Sequence, residues 1–366
     1  MKRKKKIIVA PLNWGLGHAS RCIPVIRELL KQEVNVLIAG NGGSLLLLQK
    51  EFPSLRCILL PGHTTRYPVT GHLVWNLIFQ LPQIILSGIR EHRAIKRIIR
   101  DEDIDAIISD NRYGLYSDKI PCILIIHQVF LMAPKGFKWL GKPANRINQY
   151  LINKFYCCWI PDYEGEENLS GDLGHSSFLP KSTNYIGPIS RLSFYQTKKK
   201  RDVLILLSGP EPQRSFIEKI LTQKILELIN NSSGITFKFL MVRGIPERNE
   251  TIELHPNFSK VDFMNSGLLN EAILSSEVVI TRPGYSTVMD IAALQKKAIF
   301  IPTPDQAEQE YLSEYYFQKK LYYSESQSEI DLKRALENYN NFSGFKKVND
   351  KPLLKNQIQW LLEQLD

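Results

Sequence analysis

Ile7-Ile8-Val9-Ala10-Pro11-Leu12-Asn13-Trp14-Gly15-Leu16-Gly17-His18 decides the fold class. Its first four residues are apolar throughout, as in a strand covered on both faces. Gly15 and Gly17 then allow a tight turn, and residues 19–31 continue with helical spacing. A buried strand, a glycine turn and a helix form the opening unit of a parallel α/β sheet. Similar apolar runs follow at 34–39, 57–60, 106–109 and 122–126, with helical stretches such as 73–100 between some of them. After the turn-rich, basic segment 187–202 the pattern restarts. Strands are expected at 203–207, 237–242, 278–281 and 298–301, and helices at 215–230, 287–294 and 308–317. The expectation is an α/β protein of two doubly wound, Rossmann-like domains, 1–190 and 200–345, facing a central cleft. A closing stretch, 346–366, carries Leu354, Ile358, Leu361 and Leu362 at helical spacing and either completes the second domain or crosses back to the first.

Composition narrows the function classes. The 366 residues are 43% apolar, which suits two packed cores. Forty-seven basic against 37 acidic residues leave a net charge of +10, favouring an anionic partner: a nucleotide sugar, an anionic lipid surface or a nucleic acid. Five cysteines form neither a disulfide framework nor a zinc pattern, and Cys157-Cys158 fall in an apolar run as buried thiols. The run Lys2-Arg3-Lys4-Lys5-Lys6 precedes only four apolar residues before Pro11, too few for a signal peptide. No apolar run approaches the ~20 residues of a spanning helix. A cytoplasmic protein, at most peripheral on the inner face of a membrane, is expected. Asp103-Ile104-Asp105 resembles an Asp-x-Asp metal motif but precedes its strand, so it is taken as a solvated turn. Neither a metal nor a cofactor is expected.

Two strand-to-helix loops carry the chemistry. In the first, a dinucleotide fingerprint would need a third glycine where Ser20 stands, and an acidic residue where the second strand ends Ala39-Gly40-Asn41. Both are missing, which disfavours an NAD-dependent dehydrogenase. His18 opens the helix, where the dipole favours a neutral imidazole able to accept a proton; otherwise it is a local cap. Asp110 ends the strand at 106–109 and either orients His18 or makes an Asx-turn. His127-Gln128 ends the next strand on what would be the acceptor side.

The second loop is Thr281-Arg282-Pro283-Gly284-Tyr285-Ser286-Thr287. A glycine turn opening a helix offers backbone N–H groups and a positive dipole end to a phosphate, and Arg282 would add charge. Asp290 either closes a capping box with Thr287 or accepts from ribose hydroxyls. Pro302-Thr303-Pro304-Asp305-Gln306-Ala307-Glu308-Gln309 delivers Glu308 and Gln309 to the next helix start, as sugar ligands or as simple capping. Ser208-Gly209 follows the first strand of this domain and would approach a diphosphate. Phe263-Met264 would pack on a base or belong to the core.

Gly15-Leu16-Gly17-His18 and the Arg282-to-Thr287 motif, with Asp290 and then Glu308-Gln309, resemble the family 28 glycosyltransferases. The resemblance implies a GT-B fold, a UDP-sugar donor, inversion at the anomeric carbon and no catalytic metal. It makes His18 the base and places Gly15 and Gly17 at the diphosphate and acceptor. Asp290 falls at the ribose, and Glu308 and Gln309, in a register uncertain by one residue, at the donor sugar. Two features depart from the family: the first glycine run is sparser, and Asp290 stands where Glu is usual. The expected reaction is transfer of a hexose or N-acetylhexosamine to a hydroxyl acceptor, such as a lipid-linked glycan or cell-envelope intermediate. The 73–100 stretch, with Trp75, Leu77, Ile78, Phe79, Ile84, Ile85 and Leu86 before Arg90, Arg93, Lys96, Arg97 and Arg100, suggests contact with anionic membrane; Pro82 would interrupt it. The alternatives are a UDP-sugar 2-epimerase of the same architecture and a basic nucleic-acid-binding protein. The latter lacks any recognised nucleic-acid motif, so no nucleic acid is expected.

Overall fold

A computed structural model describes residues 3–62, 73–132, 139, 141–176, 179–231, 237–346 and 352–365. They divide into two compact units, the first reaching Arg191 and including the closing helix, the second beginning at Leu192.

In the first unit the chain runs β1 (Lys6–Pro11), α1 (Gly17–Lys31), β2 (Asn35–Gly40), α2 (Gly42–Glu51), β3 (Cys57–Leu59), α3 (Leu73–Glu102), β4 (Ala106–Asp110), β5 (Cys122–Ile125), α4 (Gly141–Ile152), β6 (Cys157–Ile160) and β7 (Thr183–Tyr185). Its seven strands are all parallel, in the order β3-β2-β1-β4-β5-β6-β7. The uniformly apolar strands follow from burial on both faces: Ile7, Ile8, Val9 and Ala10 have no exposed surface. Ile8, Ala10, Leu37, Ile107 and Leu124 pack into one core with Ile95 of α3. Strand order reverses between β1 and β4, which sets the loops after these two strands at a topological switch point, where α/β sheets bind ligands.

The second unit repeats the plan with β8 (Arg201–Leu206), α5 (Gln213–Asn231), β9 (Phe239–Val242), β10 (Thr251–His255), β11 (Phe258–Val261), α6 (Ser266–Leu274), β12 (Ser276–Thr281), α7 (Tyr285–Ala293), β13 (Lys297–Phe300), α8 (Ala307–Gln318), β14 (Tyr323–Ser324) and α9 (Leu332–Asn338). The order is β10-β11-β9-β8-β12-β13-β14, parallel except for the β10–β11 pair. Its switch point lies between β8 and β12, whose ends are in register at Leu206 and Thr281. The last helix, α10 (Leu353–Glu363), belongs to the first unit: it packs on α1, buries Ile358 and Leu361, and stacks Trp360 on Tyr156.

Two local expectations change. Helix α3 runs through Pro82 instead of breaking there. The exposed strand β10 was not expected, because a strand open to solvent carries no apolar run to reveal it.

Candidate active site

In the first unit the register of β1 on β4 gathers the candidate residues. Pro11 pairs with Asp110 at the C-terminal ends of adjacent strands, so the loop entering α1 passes over the Asp110 carboxylate. His18, in the first turn of α1, places Nδ1 2.6 Å from Asp110 Oδ1. Asp110 has no exposed side-chain surface, and His18 retains 13%. The Asx-turn alternative is replaced, since His18 and Arg21 take up the carboxylate. Burial would push the Asp110 carboxyl up, but Arg21 and then His18 outweigh it and hold it below the usual carboxylate range. For His18 the balance falls the other way: burial, then Arg21, lower its proton affinity against the pull of Asp110. The imidazole is neutral at pH 7, and a donated Nδ1–H leaves the Nε2 lone pair to accept a proton.

Side chains with no motif signature hold this loop. Ser44 of α2 donates to the carbonyls of Leu12 (3.0 Å) and Gly15 (3.2 Å), and its own N–H reaches Asn13 Oδ1. Gly15 has φ +77°, a conformation that requires glycine. Arg112, two residues beyond Asp110 and fully buried, donates to the Pro61 carbonyl (2.7 Å), Asn41 Oδ1 (3.1 Å) and Glu91 (2.8 Å). It thereby ties the ends of β2, β3 and β4 to α3. Beside it a cavity of about 460 Å³ is lined by Pro61, Gly62, Gln83, Leu86, Ser87 and Arg90.

In the second unit the candidate residues gather at the junction of β8 and β12. Thr281 Oγ1 donates to the Leu206 carbonyl at 2.8 Å, fixing the two loops side by side. After β8, Ser208 is half-buried, and Gly209 is exposed with φ +103°. After β12, α7 begins at Tyr285 with Gly284 as its N-cap, and no side chain caps it. The capping-box alternative for Asp290 is thus overturned, because Thr287 lies inside the first turn. Asp290 is buried one turn further on, while Ser286 and Thr287 are half-exposed at the helix start. Two side chains of this motif correct the expectation. Arg282 is 3% exposed and donates to the carbonyls of Ile301 (2.9 Å) and Pro302 (2.8 Å) and to Gln327, so its charge points into the fold. Burial lowers its pKa to about 9. The Tyr285 ring is buried in the core.

At the start of α8, Gln306 provides the cap, accepting from the Gln309 N–H. Gln309 Oε1 accepts from the Thr303 N–H at 2.8 Å, and Glu308 lies half-exposed in the first turn. Phe263 and Met264 are half-exposed just before α6, whose N-cap is Asn265. Asp105 sits at the opposite, N-terminal end of β4, where it accepts from Arg3 and from the Lys6 N–H. Among the described residues, no cluster of three or more His, Cys, Asp or Glu side chains is placed to hold a metal ion. No described helix is long and apolar enough to cross a membrane. The functional residue that motif reasoning missed is Arg21; its signal was its position three residues after His18, on the same helix face.

Comparison with known proteins agrees with this architecture. Residues 203–355 match the glycosyltransferase family 28 C-terminal domain. An uncharacterized glycosyltransferase of Methanosarcina mazei is 26% identical over 328 residues, spanning 83% of this chain and 81% of its own length. The UDP-N-acetylglucosamine--N-acetylmuramyl-(pentapeptide) pyrophosphoryl-undecaprenol N-acetylglucosamine transferase of Amoebophilus asiaticus is 21% identical over 317 residues, 82% of this chain and 80% of its own. The crystal structure of Acinetobacter baumannii MurG superposes with a TM-score of 0.54 at 13% identity, covering 100% of this chain and 99% of that one.

Proposed function

We propose that this GT-B glycosyltransferase, which resembles family 28 and carries its C-terminal domain, moves a hexose or N-acetylhexosamine from a UDP-sugar to a hydroxyl acceptor with inversion. The observation that carries this reading is the His18–Asp110 pair at a switch point, with the imidazole held neutral. His18 Nε2 takes the acceptor's proton as the hydroxyl oxygen attacks the anomeric carbon from the face opposite UDP. The bond from that carbon to the diphosphate breaks, and its electron pair leaves with UDP. The uncapped start of α7, with Ser286 and Thr287, and the N–H groups around Ser208-Gly209 receive the departing charge. Asp290 takes the ribose hydroxyls, Phe263 and Met264 the base, and Glu308 and the Gln309 amide the sugar.

The acceptor reading draws on α3. Leu81, Ile85, Leu86 and Ile89 are 47, 61, 51 and 44% exposed, and Arg90, Arg93, Lys96, Arg97 and Arg100 are exposed beyond them. The side chains of Trp75, Leu77, Ile78 and Phe79 lie outside the described residues. An apolar strip followed by cations fits peripheral contact with an anionic membrane and a lipid-linked acceptor; co-sedimentation with anionic but not neutral vesicles checks it.

Calorimetric titration with UDP, GDP, TDP and UDP-sugars, in EDTA, tests the donor reading. UDP-selective binding is the expected result. Conversion of UDP-sugar with no acceptor present would instead assign the epimerase activity. Salt-dependent binding of RNA or DNA without preference for UDP would overturn both.

A further inference from the structure

Arg21 takes no part in the transfer steps, yet its buried guanidinium touches three titratable side chains at once. Nε and Nη2 donate to the two oxygens of Asp110, Nη2 also lies 2.8 Å from His18 Nδ1, and Nη1 lies 3.0 Å from His127 Nδ1. Arginine carries donors only, so these contacts dictate where the imidazole protons reside. His127 Nδ1 must accept, which leaves Nε2 as the proton-bearing nitrogen of that ring. His18 Nδ1 has an acceptor-only neighbour, Asp110 Oδ1 at 2.6 Å, and a donor-only neighbour in Arg21. Arg21 Nη2 already has that same oxygen at 2.6 Å. The charge-assisted bond to the carboxylate therefore takes the His18 proton at Nδ1.

We propose that Arg21 is a positioning residue that fixes His18 and His127 in opposite tautomers and lets Asp110 orient His18 without turning it into a cation. The proposal deepens the reading of His18 as the base and rests on it for its functional meaning. Asp110 alone would draw a second proton onto His18. Arg21 instead fills the ion-pair position with a permanent charge, and a protonated His18 would put a second cation 2.8 Å from the guanidinium. The groups facing His18 are Arg21 from α1, Asp110 from the end of β4, and His127 beyond β5. Cys22, buried beside Asp110 and Arg21, keeps its proton and adds no charge. Burial and Arg21 together hold His18 below the ordinary histidine value, so its lone pair stays available as the solution becomes mildly acidic.

Long-range ¹H–¹⁵N correlation spectra of the full chain labelled in histidine, from about pH 5 to 8, read tautomer and titration directly. His18→Ala and His127→Ala assign the signals. Wild-type protein should show Nδ1–H for His18, Nε2–H for His127, and a His18 midpoint below 6.5. Arg21→Gln should raise that midpoint by about one unit, a tenfold gain in proton affinity, while Arg21→Lys, which keeps the charge, should leave it low. The same tautomer at both rings, or an unmoved midpoint in Arg21→Gln, overturns the proposal. If Arg21→Gln does not fold, the wild-type tautomers and the Arg21→Lys midpoint still decide. None of these readings needs turnover: if the tautomers hold and no sugar is transferred, the base assignment fails and the positioning stands.

Discussion

Replacing Gly284 with Ala probes the proposed donor site while leaving the fold nearly untouched. Gly284 caps α7 with φ −69° and ψ 136°, a conformation open to any L-residue, and an added Cβ would meet nothing within 4 Å. Two stability effects oppose each other. The alanine restricts the unfolded chain, stabilising the protein by about 0.4–1 kcal/mol. Alanine is also a poorer N-cap than glycine, by roughly 0.5–1 kcal/mol. The melting temperature should therefore stay within a few degrees of wild type, since about 0.6 kcal/mol is the largest imbalance these effects allow. Ligand binding should respond quite differently. A diphosphate at this helix start must bring oxygens to about 2.7–2.9 Å from first-turn N–H groups, and the new methyl would stand at their mouth. Losing one or two hydrogen bonds to a charged group, at about 1.5–3 kcal/mol each, weakens UDP binding by roughly ten- to a thousandfold or more. Calorimetry and thermal melts on the same preparation read both effects. UDP affinity within about threefold of wild type, with unchanged melting, would place the diphosphate elsewhere. A collapse in stability would instead make Gly284 structural and refute the open space above it.

Asp110→Asn should destabilise the protein by about 3–5 kcal/mol, because it leaves the Arg21 charge buried without its partner, and should lower kcat by roughly 10²–10⁴-fold while UDP binding persists; chemical denaturation and initial rates test it. His18 titrates below its ordinary value of 6.5, so between those two values the unfolded chain binds a proton that the native state does not. Its stabilising contribution is complete above 6.5 and declines as pH falls towards the native value, and the acid limb of kcat/KM should lie below 6.5, all within reach of pH-dependent melts and rates. Asp290→Ala should weaken UDP binding by about tenfold, roughly one lost hydrogen bond, without the loss of helix stability that removing a cap would bring; equal affinity by calorimetry would separate Asp290 from the ribose.

The repeated strand–loop–helix plan was legible because strands buried on both faces are apolar without interruption, as at 7–10 and 203–207. Strand β10, its side chains mostly in solvent, left no such trace. Asp110 was a candidate as the end of a strand, but its meeting with His18 depends on β4 lying beside β1, and apolar runs do not encode strand order. Arg112 and Glu91, likewise, are 21 positions apart and meet only because α3 packs beside the end of β4.

The inward turn of Arg282 and Tyr285 has a physical reason that also bears on function. A helix start binds phosphate through backbone N–H groups, so this motif needs an uncovered glycine more than a charged side chain. Arg282 instead grips the carbonyls of Ile301 and Pro302, and the next residue, Thr303, anchors Gln309 Oε1. With its oxygen held by the backbone, the Gln309 amide has its NH₂ left to donate, as the proposed contact with a sugar hydroxyl requires. Arg282 thus braces the ends of β12 and β13, and under the proposed function it would act on the loop assigned to the sugar, not on the phosphate. Neutralising it should loosen sugar discrimination more than UDP affinity, the reverse of what a direct phosphate contact would do. Arg282→Met, titrated with UDP and then with UDP-sugars, distinguishes the two: equal loss for every ligand would return the arginine to the diphosphate.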